Sequence, residues 1–174
     1  GNDSLGTRYS IFPSAMQEAI KMHTAAGGNI LVSGAYIGTD IWGQIYEHQV
    51  DKEEQKAAQE FAREVLGYRW IRGHAGRSGE VMYADNELMP QPEGPAGSFH
   101  NIVNPEHYCV ETPDGIAPVK GGETMLKYSD TGLSAAVCSQ KDGYRTVCIG
   151  FPIETLKQDE SLDRIISITL EFFR

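Results

Sequence analysis

Residues 28–40, GNILVSGAYIGTD, constrain the fold more than any other stretch: an uninterrupted apolar run passes directly into a turn punctuated by glycines. A run without polar alternation, Ile30 to Ser33, reads as a strand covered on both faces, the pattern of a parallel sheet under helices. Upstream, Ser14 and Gln17 resemble a capping box, and Met16, Ala19, Ile20 and His23 recur at helical spacing until Gly27-Gly28 ends the element. Downstream, Asp51 can cap a helix with the stripe Ala57, Ala58, Phe61, Ala62, Val65 and Leu66, closed by Gly67 and followed by a strand from Tyr68 to Arg72. Helix, Gly, strand, loop, helix, Gly, strand is the βα alternation of a doubly wound sheet. The predicted fold is an α/β three-layer sandwich with a mainly parallel central sheet.

The second half changes character. Met89 to Gly97, MPQPEGPAG, can hold neither a helix nor a central strand and reads as a surface loop. Short strands are expected at Tyr108–Glu111, Thr124–Tyr128, Ala135–Gln140 and Tyr144–Gly150, with Asp142-Gly143 a hairpin signal. An antiparallel hairpin is therefore expected in the C-terminal half. Leu162, Ile165, Ile166, Thr169, Leu170 and Phe173 close the chain as a helix. At 174 residues, 40% of them hydrophobic, the chain is expected to be one α/β domain, 1–174. A parallel sheet wants a strand before its first helix, and no buried strand precedes Ser14; the leading Gly1-Asn2-Asp3-Ser4 also looks like the scar on an excised fragment. Both features point to a piece of a larger chain, with the other domains of that chain as partners.

A net charge of −9 with dispersed Lys and Arg disfavours a nucleic-acid partner; a local pocket can still take an anion. No apolar run is long enough for a transmembrane segment. Cys109, Cys138 and Cys148 lack metal-ligand spacing, so no metal and no cofactor is expected; Cys138 and Cys148 fall on the two arms of one hairpin, which leaves a cross-strand disulfide open.

Ligands of open α/β sheets bind beyond the carboxyl ends of strands, which makes the loop from Gly34 to Gly43 the candidate site. Tyr36, Thr39, Asp40 and Trp42 are its candidate ligand-binding residues; in the plainer reading the rings pack over the sheet and Thr39 or Asp40 caps the next segment. Ser33 stands where a nucleophile would, but a serine nucleophile needs an imidazole base and a G-x-S-x-G elbow, and the flanking glycines of Leu31-Val32-Ser33-Gly34-Ala35 are displaced. Among the histidines at 23, 48, 74, 100 and 107, His74 is the most site-like, set among glycines in Arg72-Gly73-His74-Ala75-Gly76-Arg77. His23 reads as a core or interface residue. His100 and His107 with Glu106 lack a ligand signature.

"AAGGNILVSGA" (25–35) and "TVCIGFPIE" (146–154) together resemble class I glutamine amidotransferase-like domains of flavodoxin-like fold. The resemblance implies a nucleophilic cysteine at the position of Ser33 and a His-Pro-Glu where this chain has Phe151-Pro152-Ile153-Glu154. Without thiolate or imidazole, glutaminase chemistry is not expected. These segments, with "LGYRWI" and "MLKYSDTGLSAAV", also resemble domains of large secreted Bacteroidetes-type proteins labelled xanthan lyases. That label implies an extracytoplasmic setting and a polysaccharide or cell-surface ligand. The expected function is thus a non-catalytic or vestigial amidotransferase-like accessory module. The alternative is a hydrolase or polysaccharide lyase using Ser33 or Tyr36 with His74 or His100 and an acid such as Asp40 or Glu154.

Overall fold

The computed structural model describes residues 10–43 and 51–174; the leading Gly1–Ser4 and His48 lie outside the described residues. The chain order is α1 (Ser14–Ala25), β1 (Ile30–Ser33), α2 (Thr39–Trp42), α3 (Lys52–Phe61), β2 (Tyr68–Arg72), β3 (Glu80–Tyr83), β4 (Pro95–Ser98), β5 (Gly115–Pro118), β6 (Gly122–Tyr128), β7 (Ser134–Gln140), β8 (Arg145–Ile149) and α4 (Asp159–Phe172). A π-helical turn, Ala62–Leu66, continues α3, and a 3-10 turn, Ile153–Thr155, follows β8.

Six strands form one mixed sheet in the order β1-β8-β7-β6-β3-β4, and β2 pairs with β5 in a separate ribbon. Of the five pairings in the large sheet only β1 with β8 is parallel; the other four, and β2 with β5, are antiparallel. This overturns the expected mainly parallel, flavodoxin-like sandwich. The apolar run that suggested it belongs to an edge strand: among the described residues β1 pairs with β8 alone, and Leu31 is 37% exposed. The strand buried on both faces is β7, with Ala135 to Ser139 inaccessible and antiparallel neighbours on either side. An uninterrupted apolar run therefore fixes neither the pairing direction of a strand nor its burial on both faces.

Alternation along β7 and β8 feeds two cores. Ala136, Cys138, Val147 and Ile149 pack with Phe151, Ile165 and Phe172 on the α4 side. Val137 and Cys148 pack with Phe61, Leu66, Tyr68 and Ile116, under α3 and the β2–β5 ribbon. Cys138 opposes Val147 while Val137 opposes Cys148, so the two thiols point to opposite faces and stay free. A disulfide between them is excluded by geometry.

Local chemistry explains the boundaries. The Asp51 carboxylate accepts from the Glu53 N–H at 2.8 Å and caps α3, and Gly67 ends the following turn at φ 86°. Ser14 does not cap α1: Pro13 holds that position without a side-chain bond. His23 is exposed, with Nε2 3.3 Å from the Asn29 carbonyl oxygen, and is not a core residue. The Pro/Gly segment after Met89 contributes β4 to the sheet edge, where a proline costs no ladder bond. Residues 108–111 form no strand. Among the described residues no helix is long and apolar enough to cross a membrane.

Candidate functional site

The loop after β1 turns through Tyr36, held at φ 66°, into the single turn of α2. Asp114, at the start of the β5 segment, fixes this turn from inside the protein. Its Oδ2 accepts from the N–H groups of Gly38 (2.7 Å) and Thr39 (2.9 Å), and its Oδ1 from the Thr39 hydroxyl and from Trp70 Nε1 (3.2 Å). The same residue's backbone N–H donates to the Gly150 carbonyl (2.8 Å), and its carbonyl accepts from the Tyr128 hydroxyl (2.7 Å). Burial pushes the Asp114 carboxyl above the ordinary carboxylate value, and the four hydrogen bonds it accepts act against that rise. In the sequence, Asp114 sits in Pro113-Asp114-Gly115, indistinguishable from an ordinary turn.

The expected ligand residues divide accordingly. Thr39 is buried and its hydroxyl is committed to Asp114. The Asp40 carboxylate accepts from the Ile11 N–H at 2.9 Å. Trp42 is half-buried, its ring 6.1 Å from that of Tyr68 and covered by the Arg63 guanidinium at 5.5 Å. Tyr36 alone of the four is exposed, at 43%.

Ser33 ends β1 half-buried, and its Oγ accepts a long hydrogen bond, 3.4 Å, from the Ile153 N–H. The fold therefore brings Ser33 to the turn that carries Glu154, whose exposed side chain faces a shallow apolar hollow with Ile153 and Leu162. Phe151 is fully buried, stacked 4.7 Å from Phe99, and belongs to the core. No histidine hydrogen-bonds to Ser33 among the described residues. His74 is exposed at φ 49° in a different cleft, with Arg72, Arg77, Asn101 and Glu111. His100 stacks on His107 at 4.5 Å; desolvation first, then His107 and Lys157, lower its pKa. Among the described residues no cluster of three metal-ligating side chains occurs. Among the described residues the chemistry available at Ser33 is that of a hydroxyl bonded to a backbone amide, with no side-chain base hydrogen-bonded to it.

No protein-family model matches the sequence, and no curated protein matches it. Among solved structures the chain is similar to the cold-adapted β-galactosidase from Rahnella sp. R3, with a TM-score of 0.53 and 15% identity, over 91% of this chain and 21% of that one. The chain thus spans about a fifth of the length of that enzyme. The resemblance to amidotransferase-like domains and to proteins labelled xanthan lyases is corrected by these findings: the sheet is mostly antiparallel, and the fold is shared with part of a β-galactosidase.

Proposed function

We propose that the chain is a non-catalytic module of a larger carbohydrate-acting protein, which meets a saccharide through the loop after β1. The observation that carries the non-catalytic half is at Ser33. Its hydroxyl takes the Ile153 N–H, while His74 lines a separate cleft, and among the described residues no histidine hydrogen-bonds to Ser33. The carbohydrate half is supported by the shared fold with a fifth of a β-galactosidase chain. It is supported also by the exposed Tyr36 ring, whose apolar face suits the C–H face of a pyranose. Thr39 and Asp40 then act from behind, holding the ring in place through Asp114 and the Ile11 N–H.

Affinity electrophoresis of the chain through gels holding neutral polysaccharides, galactan among them, tests both halves. Retardation by at least one polysaccharide is expected, reduced in Tyr36→Ala and unchanged in Ser33→Ala, with no reducing ends released from it. Retardation by none overturns the ligand assignment. Release of reducing ends that Ser33→Ala abolishes overturns the non-catalytic one.

A further inference from the structure

The segment joining β2 to β3 is anchored on every side. The Ala75 N–H donates to the Pro113 carbonyl (2.9 Å), and the Ala75 carbonyl accepts from the Thr131 hydroxyl (2.6 Å). The N–H groups of Arg77 and Ser78 both donate to Asp130 Oδ2, at 2.7 and 3.2 Å, and Asn101 Nδ2 donates to the Arg77 carbonyl at 2.6 Å. A Cβ on Gly76 would come within 2.5 Å of the Tyr128 ring, so this backbone lies directly on a buried aromatic. The anchored segment and the chain near Val110 enclose a cleft of about 400 Å³, lined by Arg72, His74, Arg77, Asn101 and Glu111 among others.

Two of those side chains are guanidiniums, and among the described residues neither lies within 4.0 Å of a carboxylate. Arg72 Nε donates to the Gly73 carbonyl at 3.2 Å, which orients the guanidinium and leaves its terminal nitrogens free. In a chain of net charge −9, one cleft is lined by two arginines and a histidine, with neither arginine in a salt bridge among the described residues. The geometry points to a binding site for a single oxyanion group of a small ligand: the arginine forks match the paired oxygens of a carboxylate or phosphate, and His74 adds a ring N–H. Glu111 in the wall offsets part of the charge and disfavours ligands carrying several. This site is separate from Tyr36 and does not depend on the accessory-module reading.

The sodium salt of galacturonate and inorganic phosphate present the same oxyanion chemistry from two sources, and galactose is the neutral control. Titrated into the 15N-labelled chain at pH 7, at least one anion is expected to shift the amide signals of residues 73–79 to saturation, while galactose does not. A response to galacturonate assigns the site to a sugar acid; a response to phosphate alone assigns it to a free oxyanion. Arg72→Gln and Arg77→Gln should each weaken binding about tenfold or more, the worth of one charge-assisted hydrogen bond. Glu111→Gln should tighten it, a change that damage to the fold does not mimic. Silence from both anions, unaltered affinity in Arg77→Gln, or weaker binding in Glu111→Gln each overturns the proposal.

Discussion

At the scale of single residues, Asp114 carries the most consequence. Its two carboxylate oxygens receive four donors, two of them backbone N–H groups of the turn that presents Tyr36. Asn at this position keeps one oxygen. If that oxygen stays on the Gly38 and Thr39 N–H groups, the new NH2 meets the Trp70 indole N–H, and two donors face each other in the interior. We expect Asp114→Asn to lose about 1–3 kcal/mol in urea unfolding at pH 7, the cost of an unsatisfied buried donor. The pH dependence has a definite sign. Burial raises the folded-state pKa, so the folded protein holds this proton more tightly than the unfolded chain does. The corresponding stability is fully present below the ordinary aspartate value and is lost as pH rises through the raised one. Unfolding free energies of wild type minus Asp114→Asn should therefore fall with rising pH across that window; a difference that rises instead would show the hydrogen bonds outweighing burial.

At the scale of elements, much of the chain was legible. Helices α1, α3 and α4 follow from apolar spacing, Asp51 and the terminal glycines, and β2, β6, β7 and β8 follow from short β-branched or apolar runs between turn residues. Three strands were not. β3 has only four residues, β4 lies inside a Pro/Gly segment, and β5 opens at Asp114-Gly115, where turn chemistry masks the strand. Pairing direction was unreadable at Ile30–Ser33, because an apolar run does not report which way the neighbouring strand runs, and with Leu31 37% exposed it did not report cover on both faces either. The candidate site was half legible: Tyr36 and the glycines are visible in the sequence, whereas the acceptor that organises them lies far along the chain at Asp114. Its attachment depends on Gly150, just past β8, where an added Cβ would fall 2.1 Å from the Asp114 carbonyl oxygen. That contact is with backbone, which cannot swing away. Gly150→Ala is thus expected to cost about 1–3 kcal/mol, as overpacking does, and to expose Trp70 by a red shift of its fluorescence.

At the scale of the whole molecule, the decisive feature is that one sheet serves two cores through alternate residues of the same two strands. Opposed orientation of Cys138 and Cys148 is one consequence: denatured protein should titrate three thiols, and reductant should leave the melting temperature unchanged. Thermal coupling is the other. Both tryptophans lie on the α3 side, Trp42 against the cluster of Phe61 and Tyr68, and Trp70 in the ribbon bonded to Asp114. Ile165 is fully buried on the opposite side, beneath α4. If the two cores melted separately, truncating Ile165 would leave tryptophan fluorescence untouched. Because β7 and β8 supply side chains to both, loss of packing on one face removes the floor of the other. Ile165→Ala should therefore cost about 2–5 kcal/mol of unfolding free energy and lower the urea midpoint equally whether read by tryptophan fluorescence or by far-UV circular dichroism. A fluorescence transition that stays in place while the dichroism shifts would mean that the two faces fold as independent units and that the shared strands do not couple them.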